Sequence, residues 1–248
     1  MKRKLIYILL AIIISVIWEY SAQYNNTVRL LVSSPTLVVE YFTNNHTMLL
    51  KATYTTFIEA LAGLTIAALF SFLMMIICFY QPRFMEFIMP IMVTSQVIPL
   101  IVLAPFFIIW LGIGMTSKIA MAAVISFFPV FINFAQGYKS ISQNIHELMV
   151  IYQAPLLFRI FRVYFPLSMP SILAGLKVSA TLSVIGAIVA EFTGAEIGLG
   201  KNLFLAARRL EPDLMMSSLF LSTMLGVFLF AMIYLIEKRV CKWAININ

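Results

Sequence analysis

Along this 248-residue chain, apolar blocks of membrane length alternate with short polar breaks. The blocks are Leu5 to Trp18, Phe57 to Tyr80, the charge-free interval between Glu86 and Lys118, Lys118 to about Gly137, Ile172 to Phe192, and Leu214 to Ile236. A helix needs roughly 20 apolar residues to cross a bilayer. The pattern therefore predicts an all-α integral membrane protein with about six transmembrane helices. The first block is short and follows Met1-Lys2-Arg3-Lys4. No small-residue cleavage site follows it, so it reads as a retained helix with Trp18 and Tyr20 at its outer end. The third interval has room for one helix and a half. Pro90, Pro99 and Pro105 are expected to break it, and Gly112 and Gly114 to close it. Glu19 to Thr56 and Thr193 to Asp213 read as external loops. The first of these holds a short helix capped by Ser34, with Pro35 in its first turn.

Ser140 to Pro170 is the long polar-rich break that also carries dense charge. Ser140-x-x-Gln143 and Asn144-x-x-Glu147 fit helix-capping patterns. Ile145, Leu148, Met149 and Tyr152 then fall on one helical face. Pro155 should end this helix near Ala154, and a second short helix with Arg159 and Arg162 should close at Pro166 and Pro170. Such an amphipathic segment either lies in the lipid headgroups or docks into a groove on a partner.

Composition supports the bilayer: 62% of residues are hydrophobic and 11% charged, where a soluble domain has about a quarter charged. With both termini on one side, eleven of the 17 basic residues fall on that side and six on the other. The positive-inside rule then places both termini in the cytoplasm. The net charge of +7 follows from that basic face and needs no nucleic acid. His46 is a lone histidine in a polar loop with no second ligand nearby, so no metal site is expected; His146, beside Glu147, is expected at the surface, and Cys78 and Cys241 suggest no disulfide framework. No G-x-x-x-x-G-K-[ST] loop is present. No intramembrane carboxylate–base pair is legible, since Glu59 reads as the outer end of its span. Thr94, Ser95, Gln96, Thr181 and Ser183 are polar residues within apolar spans. They line a path or bond their own backbone, with Gln96 favoured for a path by the broken helix around Pro99. Glu191 reads as an outer gate or a solvated helix end.

The Ser140–Pro170 stretch resembles the cytoplasmic EAA loop of permease subunits from bacterial ABC importers with the type I (MetI-like) fold. In that likeness Glu147 stands at the motif glutamate, Leu148 and Met149 replace the two alanines, and Gln153 replaces the glycine. Ala154 follows it, Phe165-Pro166 stands for Leu-Pro, and Pro170 for the second proline. Ser33-Ser34-Pro35-Thr36, Ile98 to Pro105, Trp110 to Gly114 with Ser117-Lys118, Ala174 to Lys177, Ala190-Glu191-Phe192 and Gly198-Leu199-Gly200 are similar to the nitrate, sulfonate and taurine branch. Phe127 to Val130 and Val184 to Ala187 are similar to permeases for thiamine-precursor pyrimidines and riboflavin. Glu59 departs from that branch, which often has Arg there.

The resemblance implies a non-enzymatic permease in a bacterial cytoplasmic (inner) membrane. Residues 1–56 would form an N-terminal helix and external loop, and residues 57–242 the permease domain. Glu147, Leu148, Met149, Gln153, Ala154 and Pro166 would form the helix that couples to a separate ATPase. That ATPase, not this chain, would hold ATP and Mg. Gln96, Ser95, Thr181, Ser183 and Glu191 would line the path. The partners implied are the ATPase, a periplasmic or lipid-anchored solute-binding protein, membrane lipid and a second copy in a homodimer. The alternative is an ATP-independent secondary transporter or channel, which would carry inverted repeats and intramembrane charges.

Overall fold

The computed structural model describes residue 13 and residues 16–23 and 32–242. Among these, the regular elements are helices: residues 16–23 are helical, and there follow α1 (Pro35–Asn44), α2 (His46–Tyr80), α3 (Pro82–Ser95), α4 (Leu100–Leu111), α5 (Met115–Lys139), α6 (Gln143–Ile151), α7 (Leu156–Phe192), α8 (Leu199–Arg209) and α9 (Pro212–Val240). Four of them, α2, α5, α7 and α9, are long and apolar enough to cross a membrane. The predicted first span lies mostly outside the described residues.

The centre is α7, which packs along α5 and also against α2 and α9. Small residues permit the close approach. A Cβ added at Gly186 would lie 2.8 Å from Ala122 Cα, and one at Gly63 would lie 2.5 Å from Ala122 Cβ. Ser126 Oγ donates to Ser179 O and Ser179 Oγ to Ser126 O, tying α5 to α7 by reciprocal bonds. Lys177 of α7 is paired with Glu237 of α9 at 2.7 Å. Apolar side chains also cover the outside: Leu69, Phe70 and Leu73 of α2, and Phe220, Val227 and Phe228 of α9, are exposed. Helices that are apolar on every face suit a lipid surround.

Several boundaries differ from those predicted. The second span begins at His46, eleven residues before Phe57, where Thr53 and Thr55 turn their hydroxyls onto carbonyls of the same helix. The capped helix after Ser34 is present: Ser34 Oγ accepts from Leu37 N at 3.4 Å. Its neighbour Ser33 donates to Asp213 at the start of α9, which pins this entry segment. Of the three prolines, only Pro99 sits at a break; Pro90 and Pro105 lie inside α3 and α4. Helices of 14 and 12 residues are each too short to cross alone.

The expected closure at Pro166 and Pro170 does not occur. The chain continues helically from Leu156 to Phe192, and Arg159–Tyr164 winds as a π-helix. That wider turn, just before Pro166, moves the carbonyl that the proline ring would otherwise strike. The segment 193–213, read as a loop, contains α8.

Candidate functional site

Two clusters stand at opposite ends of the bundle. The first is built on α6. Its N-cap is Ser142 without a side-chain bond, while Ser140 instead closes the end of α5 by donating to Gly137 O. The helix stops before Ala154, and Pro155 is not the cause. Gln153 N donates to Val150 O at 2.9 Å and Ala154 N to Met149 O at 3.1 Å, with Gln153 at φ 47°. This is the paired bonding of a Schellman terminus, whose left-handed position favours glycine. The resemblance puts a glycine here, and the geometry gives its reason. A side chain in that conformation costs about 1–2 kcal/mol, and glycine returns part of the gain through unfolded-chain entropy. Gln153→Gly is therefore expected to hold or slightly raise thermal stability in detergent, whereas β-branched Gln153→Ile lowers it by at least about 1 kcal/mol.

The outward face of α6 and the following turn is apolar. Ile151 is 76% exposed and Tyr152 73%. Leu148, Leu157 and Phe158 are exposed beside them, as is Glu147. Of the four residues predicted to share a face, Leu148 and Tyr152 point out, while Ile145 and Met149 are partly covered. Ala154 and Pro166 are partly covered too, and Ala154 O accepts from Arg159 Nε at 2.7 Å.

His146, expected at the surface, turns inward. Its Nδ1 is hydrogen-bonded to Tyr164 OH at 3.1 Å, and its ring lies 5.4 Å from that of Tyr138. Phe79 completes the group, 4.7 Å from Tyr138 and 5.8 Å from Tyr164. One aromatic cluster thus ties α6 to the ends of α2, α5 and α7.

The second cluster surrounds Glu191, at the far end of α7. The solvated-helix-end reading fails: Glu191 is 1% exposed. Its Oε1 accepts from Thr56 Oγ1 at 2.7 Å and its Oε2 from Gly200 N at 2.5 Å. Thr56 Oγ1 also accepts from Leu199 N at 3.0 Å. The N-cap of α8 is Gly198, which has no side chain to satisfy the free N–H groups of the first turn. Side chains from α2 and α7 do that work instead. The fit excludes any larger residue at Gly200, where a Cβ would lie 2.8 Å from Glu191 Cβ.

Glu59 is also 1% exposed and Lys118 5%, and both interact electrostatically with Glu191. The expectation of no intramembrane carboxylate–base group is thus overturned. Lys118 Nζ donates to Ile113 O at 2.7 Å and Gly114 O at 3.0 Å. Glu59 Oε2 is sealed from solvent and meets no N–H or hydroxyl donor; its carboxyl is hydrogen-bonded instead to that of Glu191. The missed signal was the charge itself, since an ionisable residue inside an apolar span points to function by default. Thr56, Gly198 and Gly200 carried no such signal.

A cavity of about 420 Å³ opens over Glu59 and Lys118, with Thr55, Gly114 and Glu196 around it. A second, of about 480 Å³, shares Glu196 and Ile197 and reaches Lys51 and Asn202.

The other predicted path residues are not gathered at these cavities. Thr94, Ser95 and Thr181 return their hydroxyls to Pro90 O, Met92 O and Val178 O. Ser183 is fully buried and donates to Ala180 O, so it presents nothing to a solute. Gln96 is exposed in the break between α3 and α4. Among the described residues, no group of three metal-ligating side chains occurs. Cys78 and Cys241 are free and buried. Burial, then the charge of Glu237, pushes the Cys241 thiol up from its ordinary value.

The family described as binding-protein-dependent transport system inner membrane component matches residues 79–242. The chain is 30% identical to the formylaminopyrimidine transport permease protein ThiX of Halalkalibacterium halodurans, over 94% of this chain and 93% of that protein. It is 30% identical to the riboflavin transport system permease protein RibX of Chloroflexus aurantiacus, over 62% of this chain and 58% of that one. It is 24% identical to the putative aliphatic sulfonates transport permease protein SsuC of Bacillus subtilis, over 75% and 67%.

Proposed function

Because this chain belongs to the binding-protein-dependent transport system inner membrane components, a family of multi-pass transport permeases and not of enzymes, we propose that it forms the solute path of an ATP-driven importer. The α6 end faces the cytoplasm and both termini lie there, as the basic residues favour. The Glu191 end faces outward and receives a small polar solute from an external binding protein. Solutes of the kinds named for the relatives, a formylaminopyrimidine, riboflavin or an aliphatic sulfonate, set the range. Two copies of the chain pair to enclose the path, since one copy carries a single coupling helix.

The carrying observation is the exposed apolar face of α6 above the His146 cluster. A groove on a separate ATPase takes that face. ATP and Mg bind on the ATPase. When its two copies close on ATP, α6 is displaced, and the packed rings of His146, Tyr138, Tyr164 and Phe79 transmit the shift to α2, α5 and α7. Rigid aromatic packing suits this role because it transmits displacement without absorbing it.

The test is co-purification from native membranes with a tag on the chain. An ATPase subunit is expected in the eluate, and a label at position 147 should react only after the membrane is opened. No ATPase, or labelling of intact cells from outside, would sink the reading.

A further inference from the structure

We propose that the buried carboxyls of Glu59 and Glu191 hold a single proton between them, and that this proton keeps α8 closed over the Glu191 end of the bundle. The latch belongs to the bundle itself and does not rest on the importer reading.

The proton follows from the bonding. Glu59 and Glu191 are each 1% exposed, and their carboxyls are hydrogen-bonded to each other. An ionised carboxylate has no donor, so this bond exists only while one of the two carries a proton. The surroundings say which. Glu191 accepts from Thr56 Oγ1 and from Gly200 N, one donor on each oxygen, as a carboxylate requires. Glu59 Oε2 meets no N–H or hydroxyl donor. That would leave a carboxylate unsatisfied, and it suits a neutral acid that donates instead. Charge gives the same count. Lys118, 5% exposed, is the cation that acts on both acids. One ammonium balances one carboxylate. A second buried negative charge would have no counterion, and two acids this close do not both ionise.

The same group caps α8. Glu191 holds Gly200 N, and Thr56 beside it holds Leu199 N. With the proton in place, α8 closes over a set of groups with no net charge. Without it, α8 would bury a net negative charge. When α8 lifts, water reaches both carboxyls, the bond between them breaks, and the proton passes to water. Both acids are then ionised, as ordinary carboxylates are at neutral pH. The closed state therefore holds one proton more than the open state. Its contribution to closure is full below the ordinary carboxylate value of about 4.3. It is lost as pH rises through the point where the closed pair gives its proton up. Acid holds α8 down and alkali frees it.

The other charged groups near this end are engaged elsewhere or exposed. Glu196, between α7 and α8, is exposed at the rim of the cavity, and Lys201 of α8 is turned onto its carbonyl. Lys51 of α2 is exposed. From α9, Asp213 is bonded by Ser33, and Glu211 before it pairs with Arg209. Arg208 lies over Phe204. His46, thirteen residues from Glu59 along α2, is hydrogen-bonded to Thr43 O. The helix α4 carries no ionisable side chain.

The experiment is native-state amide exchange of the full-length chain in lipid nanodiscs. It is read at residues 199–202 between about pH 6 and pH 8 and corrected for the intrinsic, base-catalysed rate. The opening equilibrium is expected to rise about tenfold per pH unit. In Glu59→Gln the amide donates to Glu191 at every pH and carries the same charge as the neutral acid, so closure is kept and the slope should vanish. Glu196→Gln, at an exposed position, should keep the wild-type slope. Infrared spectra of the wild-type chain in the same pH range should show the carbonyl band of a protonated carboxylic acid, shifted in heavy water and missing from Glu59→Gln. A flat wild-type profile, a wild-type slope retained in Glu59→Gln, a slope lost in Glu196→Gln, or absence of the band would overturn the proposal. If Glu59→Gln does not fold, the wild-type slope and band decide it. ATPase co-purification decides the importer reading separately, so either can fail alone.

Discussion

Glu191→Ala is expected to release α8 from the bundle. The substitution leaves Gly200 N without its acceptor and removes one partner of Thr56, all in a buried place. It also deletes a carboxylate beside the buried ammonium of Lys118. Removing one member of such a group costs about 3–5 kcal/mol, mostly from the charge and donors left behind. Amide exchange over residues 199–202 should rise sharply, while exchange in the middle of α5 and α7 stays slow. Glu191→Gln keeps the volume and one acceptor, but its amide NH₂ can face either Thr56 or Gly200 N as a donor. Its loss should be smaller, about 1–3 kcal/mol. If α8 keeps its protection in Glu191→Ala, the carboxylate is not what holds it.

The next largest effect is expected on the α6 surface, and it separates into two kinds. Ile151→Asp puts a charge at the most exposed apolar position of that face without touching the chain's own core. Burying it in a partner's groove forfeits about 1.5–3 kcal/mol of apolar transfer and adds the cost of a desolvated charge. ATPase association should fall at least about 100-fold, and uptake with it. Glu147→Lys should act in the same direction. His146→Ala is different. It leaves the outward face in place and removes the ring that joins α6 to Tyr138 and Tyr164. Aromatic pairs contribute about 0.5–1.5 kcal/mol each, so the ATPase should still co-purify while uptake drops several-fold. Should Ile151→Asp leave the ATPase bound, the face is a lipid-contacting surface. Should His146→Ala release the ATPase as well, the ring cluster only shapes α6 and does not transmit its movement.

Much of the bundle was legible in the chain because hydropathy is a local property. The apolar runs ending at Tyr80, Phe192 and near Ile236 correspond to α2, α7 and α9, and Ser34 with Pro35 marked the start of α1. The resemblance marked Glu147 and Gln153, and the turn at Gln153 shows why glycine would suit that place.

What stayed hidden depended on partners distant along the chain. The start of α8 has no local cap, because Thr56, 143 positions from Leu199, supplies one. Glu191 sits in a polar context that reads as solvent, yet α8 folds back over it and excludes water. His146 reads as a surface residue until α2, α5 and α7 bring three aromatic rings together around it. The prolines at 166 and 170 signal a stop in any local reading, but a π turn and the packing of α7 carry the helix through them. Local hydropathy sets which segments can be helices in a bilayer. Only the packing of those helices decides which buried polar group finds a partner, and at Glu59 it sets the carboxyl against that of Glu191.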